Sequence, residues 1–174
     1  MKDRDPIADI DLSSRGTMPE HHYSPAAGHS KLVHEVMSPG STIEAGLRII
    51  AGCRFIPSEL AVFGSMDISL NPTLERIDNN LRIVGGSLIA SNSTKLRSIG
   101  EGLIVDEDCL LDGCSELASL GPNIKVGRDL DLSRCPHVML SAHVTVGRNL
   151  LLPSGYELSL LPADLAVGGK LIHS

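Results

Sequence analysis

An apolar residue returns every 20 to 22 positions through most of this chain, and four further columns keep step with it. Val62, Val84, Val105, Val126, Val146 and Val167 mark the register, at intervals of 22, 21, 21, 20 and 21 residues. Four positions on stand Met66, Leu88, Cys109, Leu130, Leu150 and Leu171. Six on stand Ile68, Ala90, Leu111, Leu132, Leu152 and His173. Twelve on stand Leu74, Leu96, Leu117, Val138 and Leu158; fifteen on stand Ile77, Ile99, Leu120, Ser141 and Leu161, where only Ser141 breaks the column. Such a period marks a repeat architecture, in which each unit buries its thin apolar face only by stacking on its neighbours. The most legible copy is Val126–Pro136, VGRDLDLSRCP. In it Leu130-Asp131-Leu132 alternates apolar, polar, apolar, the period of a strand with two leucines inward and Asp131 outward. Aromatic residues are 2% of the chain, which suits a narrow interior filled by Leu, Ile and Val. The sequence thus predicts a repeat β-solenoid, a stack of about six coils of 20–22 residues with short parallel strands.

Nine positions after the register residue come Asn71, Ser93, Cys114, Cys135 and Gly155. Short side chains are expected there because the chain turns inward and its buried N–H groups need a nearby acceptor. At this point the sequence resembles the leucine-rich-repeat family, whose L-x-L-x-x-N/C motif matches Leu130 to Cys135. The L-x-V-G-G/R-x-L stretches at Ile124–Leu130, Val144–Leu150 and Leu165–Leu171 are similar to those of bacterial leucine-rich proteins, including effectors delivered by type III secretion. Leu81–Gly100 is similar to receptor ligand-binding L domains. The likeness covers about residues 43–174 and implies a leucine-rich-repeat-like stack.

The chain's 174 residues suffice for one domain with a sizeable core. A net charge of -6 disfavours nucleic-acid binding. No apolar run reaches the ~18 residues of a membrane span. The start, MKDRDPIADIDLSS, lacks the apolar stretch of a Sec signal peptide. The resemblance keeps a type III route open, so the expected location is secreted without a Sec signal, with cytoplasmic as the alternative. The four cysteines, Cys53, Cys109, Cys114 and Cys135, read as buried structural thiols. Cys114 and Cys135 lie one coil apart, about 5 Å at the backbone. Side chains in a ladder run parallel instead of facing each other, so no bridge is expected. No C-x2-C pair suggests zinc.

Residues 1–41 read as a flexible tail, polar and rich in Pro, Ser and His. Within it, 30–37 (SKLVHEVM) is a candidate capping helix: Leu32, Val33, Val36 and Met37 share a face, and Ser30 can cap it. Glu20, His21, His22, His29 and His34 are spaced irregularly and read as solvated, so no metal or cofactor is expected. Residues 42–174 form the solenoid. Its first coil, 42–59, is degenerate and short, with Gly52-Cys53 where Arg134-Cys135 stands later and Ile56-Pro57 matching Leu161-Pro162. Full coils follow at about 60–80, 81–102, 103–123, 124–143 and 144–164. The last copy, from Leu165, is incomplete and leaves an apolar face open. Three explanations stand: a longer protein, end-to-end self-association, or a frayed last strand with His173 in an inward slot.

A site on such a stack is a strip of equivalent positions. The outward column Asp67, Ile89, Leu110, Asp131, Leu151 and Ile172 is mostly aliphatic and is the candidate partner-binding stripe. Beside it run Gly64, Gly86, Glu107, Arg128, Arg148 and Gly169. Arg128 and Arg148 read as a surface ion-pair ladder, worth at most about 1 kcal/mol per pair, or as a polarised patch that orients a partner. The glycines read as tight bends with positive φ. No nucleotide-binding fingerprint, G-x-S-x-G or H-E-x-x-H occurs. Asn92-Ser93-Thr94 is a glycosylation sequon with meaning only in a secreted eukaryotic chain. The leading expectation is a non-catalytic protein–protein interaction module, which the resemblance extends to a bacterial secreted effector binding a host protein. The alternatives are the substrate-recognition part of an enzyme whose catalytic domain lies beyond residue 174, or a self-assembling structural protein.

Overall fold

In a computed structural model, which describes residues 7–11 and 38–173, the chain winds into a parallel β-solenoid of about six turns, about 21 residues each. Each full coil except 144–164, which gives none to sheet C, gives one short strand to each of three parallel sheets. Sheet A has eight strands: Ile7–Asp11, Gly46–Ala51, Met66–Asp67, Leu88–Ile89, Cys109–Leu110, Leu130–Asp131, Leu150–Leu152 and Leu171–His173. Sheet B has seven: Thr42–Ile43, Ala61–Phe63, Arg82–Val84, Ile104–Val105, Lys125–Val126, Thr145–Val146 and Ala166–Val167. Sheet C has five: Phe55–Ile56, Arg76–Ile77, Ser98–Ile99, Ser119–Leu120 and Met139–Leu140. The chain runs through B, A and C in turn.

The inward columns meet along the axis and form one core, from Leu47 and Ile49 to Leu150 and Leu152. Each fully buried aliphatic side chain contributes roughly 1.5–3 kcal/mol. Corners between sheets are turned by left-handed residues. From C to B these are Glu59, Asn80, Gly102, Asn123 and His143; from A to C they include Leu70, Asn92, Gly113 and Gly155. Gly and Asn dominate because they adopt this backbone at least cost. Leu70 is the outlier, with φ 54 and 70% exposure.

Three single-residue shifts correct the register read from the sequence. Val62 pairs with Ile83, and Ile83 with Val105, so Ile83 and not Val84 belongs to the buried column. The extra residue is absorbed near Gly85, which has φ +70 and donates its N–H to Asp106 Oδ2 at 2.8 Å. Leu120 pairs with Leu140, which is buried, so Ser141 does not break its column: that coil is one residue shorter after Val138. Pro153 lengthens the next turn, so Gly155 becomes the left-handed residue and Tyr156 packs against the core where Cys135 packs one coil earlier.

Sheet C stops at Met139–Leu140. In earlier coils the residue after the inward strand residue donates backwards, as in Gly121 N to Ile99 O at 2.8 Å and Ser141 N to Leu120 O at 3.1 Å. One coil further on that position is Pro162, which has no N–H. A 3-10 turn, Leu158–Leu160, replaces the strand, and Leu158 is 44% exposed instead of entering its expected column.

At the other end, Ile7–Asp11 pairs in parallel with Gly46–Ala51, so five residues of the expected tail extend sheet A. The expected helix over 30–37 and the histidines from His21 to His34 lie outside the described residues. Leu171–His173 is paired with Leu150–Leu152.

Candidate functional site

The outer face of sheet A carries the proposed strip. Register pairs join Arg48 to Asp67, Asp67 to Ile89, Ile89 to Leu110, Leu110 to Asp131, Asp131 to Leu151 and Leu151 to Ile172. The six residues expected from the sequence therefore form one continuous column, with neighbours about 4.8 Å apart across the sheet. All are half-buried except Ile172, which is exposed.

Two of the six are engaged locally. Asp67 Oδ1 accepts the Ser69 N–H at 3.0 Å and its hydroxyl at 2.6 Å; Asp131 Oδ1 accepts the Ser133 N–H at 2.9 Å. Each aspartate closes the turn that follows its strand. What is left for a partner is two aliphatic pairs, Ile89 with Leu110 and Leu151 with Ile172, separated by Asp131.

Arg128 and Arg148 occupy one backbone column, since Arg148 N donates to Arg128 O at 3.0 Å. Their side chains reach back to acids of the preceding coil: Arg128 Nη2 lies 3.1 Å from Glu107 Oε1, and Arg148 Nη2 3.5 Å from Asp129 Oδ2. Of the three glycines in this column only Gly64 has positive φ, at +106. Gly86 and Gly169 are there because a Cβ would strike the Gly64–Ser65 peptide or the Arg148 carbonyl.

A polar ladder, not singled out from the sequence, runs between this column and sheet A. Ser65 Oγ accepts Ser87 N at 3.1 Å, Ser87 Oγ accepts Asp108 N at 3.2 Å, and Asp108 Oδ1 accepts Asp129 N at 3.1 Å. Asp129 Oδ1 accepts Asn149 N at 3.0 Å and Nδ2 at 2.9 Å, and Asn149 Oδ1 accepts Lys170 N at 3.1 Å. Its signal was present: a short oxygen-bearing residue precedes the inward strand residue in each of five coils.

The inner turn column works mostly in the opposite sense to the one expected. Its side chains chiefly donate: Ser93 Oγ to Ile68 O at 2.9 Å, Cys114 Sγ to Ala90 O at 3.2 Å and Cys135 Sγ to Leu111 O at 3.1 Å. Two also accept a backbone N–H as expected: Ser93 Oγ from Asn71 at 3.3 Å and Asn71 Oδ1 from Thr73 at 3.1 Å. Ser93 is thus buried inside the sequon, and Asn92 has φ 59.

All four cysteines are free thiols and buried. Burial pushes Cys53 and Cys114 up to about 11 and Cys135 up to about 12; burial also raises Cys109, with Cys114 adding to it. A thiol whose pKa is higher folded than unfolded favours the folded state below its ordinary value of 9.0 and loses that contribution as pH rises towards 11 or 12. Stability should be level with respect to these groups up to about pH 9 and decline above it. Denaturation midpoints across that range check this. Thiol reagents at pH 8 should label the chain only as it unfolds; native labelling at the unfolded rate would contradict the assignment.

A shallow hollow lies where sheet C ends, between Pro136–Met139 and Pro153–Glu157, and Leu160 borders it. Its polar lining is His137, Ser154, Tyr156 and Glu157. Among the described residues no three His, Cys, Asp or Glu side chains are grouped to hold a metal ion, and no helix is long and apolar enough to cross a membrane. No family model, curated protein or solved structure matches the chain.

Proposed function

We propose that the chain is a non-catalytic protein-binding module that uses the outer face of sheet A. The observation that carries this reading is the register column of Ile89, Leu110, Leu151 and Ile172, half-buried or exposed on a face of parallel strands. A flat, regular sheet face holds such side chains at fixed spacing, so a partner meets a preorganised surface and little ordering opposes binding. Arg128 and Arg148 are engaged with Glu107 and Asp129, which makes them part of the scaffold at the rim of this face. The L-x-V-G-G/R-x-L repeats support extending the reading to a secreted bacterial effector whose partner is a host protein.

The test is capture of a partner from host extract by the intact chain and by Leu110→Asp with Leu151→Asp. Both residues are outward, so the double variant should keep the parent's thermal transition. It should lose the partner, because two charges would then be desolvated at the interface. Unchanged capture by the folded double variant would remove the strip from the function.

A further inference from the structure

The outer faces of sheets A and C neutralise their own cations, and that of sheet B does not. Arg48 on sheet A lies 3.4 Å from Asp67; Arg76 on sheet C lies 2.7 Å from Asp78 and 4.6 Å over the Phe55 ring. Of the eleven lysines and arginines among the described residues, eight are in ion pairs, and Arg82, Lys125 and Lys170 are not. Two of those three stand in one column of sheet B.

That column runs Ala61, Arg82, Ile104, Lys125, Thr145 and Ala166 by register. Each cation therefore has only uncharged neighbours on the rungs beside it. Asp106, two residues beyond Ile104, has its carboxylate on the Gly85 N–H of the coil before, at 2.8 Å. Arg82 and Lys125 are exposed and Ile104 between them is half-buried. On the same face Phe63 pairs with Val84, the first 47% exposed and the second half-buried. The patch thus alternates cation, aliphatic, cation, with an apolar flank.

We propose that the outer face of sheet B binds an acidic amphipathic helix of a protein partner, with two carboxylates on Arg82 and Lys125 and an apolar side chain between them on Ile104. Charge complementarity calls for an anion, and the aliphatic rung calls for an apolar group between its charges. The spacing selects the helix. Two rungs span about 9.6 Å. Seven residues of helix cover about 10.5 Å and return to the same face, with a residue three or four along standing between. Same-face positions of an extended strand fall at about 6.8 or 13.6 Å, short of the pair or beyond it. A polyanion such as nucleic acid or an anionic bilayer is disfavoured, because it would meet the whole chain's net charge of -6. A short helix meets chiefly the cations within a Debye length, about 8 Å at physiological salt. This face is a different sheet from the strip of Ile89, Leu110, Leu151 and Ile172, and the proposal does not rest on that strip.

Fluorescence anisotropy with a labelled, stapled helical peptide of the order Glu-x-x-Leu-x-x-x-Glu tests this. The expected result is saturable binding that weakens as salt rises and is lost when both glutamates of the peptide are replaced by glutamine. Arg82→Glu should weaken it about tenfold, and Arg82→Glu with Lys125→Glu about a hundredfold. Both side chains are exposed and unpaired, so the double variant should keep the parent's thermal transition. Leu110→Asp with Leu151→Asp should bind the peptide as the parent does, which separates this proposal from the strip. Absence of binding to the parent, equal binding by the double charge-reversal variant, or equal binding of the glutamine peptide would each overturn it. So would heparin or phosphatidylserine vesicles held through Arg82 and Lys125 in preference to the peptide, since the surface would then belong to a polyanion.

Discussion

Gly147→Ala is expected to lower stability by about 3 kcal/mol or more. A Cβ at Gly147 would fall on the carbonyl oxygen of Gly127 one coil below. Gly127 is placed likewise over Asp106, and Gly168 over Gly147. The obstructing atom is backbone and is held from both sides. Gly147 N donates to Val126 O at 2.8 Å, and Arg148 N to Arg128 O at 3.0 Å. Making room means lengthening these bonds along the whole corner. Denaturant unfolding measures the loss, with Gly155→Ala as reference. Gly155 has φ +72 but nothing within 4 Å of its would-be Cβ, so alanine there costs only the left-handed strain, about 1–2 kcal/mol. Equal losses at the two sites would refute crowding between coils as the reason for the V-G dipeptides.

Leu130→Ala is the second large effect, a loss of about 3–5 kcal/mol. Leu130 is fully buried, between Cys109 and Leu150 in its column. A solenoid core is one side chain deep per coil, and the backbone ladders on either side prevent it from collapsing into a void. The cost is therefore expected near the upper end of the leucine-to-alanine range. Neighbouring coils are coupled only through such contacts. The variant should consequently unfold less cooperatively, with the coils on the two sides of Leu130 separating into distinct transitions. A single sharp transition displaced by less than about 1 kcal/mol would show that the stack is held by its hydrogen bonds and not by this column.

The stack itself was legible because inward side chains recur with one period: Val105, Val126 and Val146 do lie side by side, as their spacing requires. Counting at constant spacing could not show where a coil gains or loses a residue. Gly85 and Pro153 are additions in turns, and the coil after Val138 is one residue short. Only the pairing partner reveals which neighbour then faces inward, hence Ile83 for Val84 and Leu140 for Ser141. Sheets B and C were hidden for another reason. Most of their strands are two residues long, too short for alternation to register.

The outward strip was legible in its positions. The internal role of Asp67 and Asp131 was missed, although the serine two residues after each offers the partner an aspartate turn needs. Ile7–Asp11 gave no signal in the columns, because it joins sheet A outside the repeat and the period says nothing about it.

The corner ladder from Ser65 to Lys170 bears on how the molecule carries mechanical load. Tension along the axis passes through every coil in series, and each rung is a clip between one coil and the next. The Asp129 carboxylate holds Asn149 by two bonds, whereas Ser65 holds Ser87 by one. Stretched from its ends, the stack would peel coil by coil from the side of the serine rungs, while the coils joined through Asp129 stay together longest.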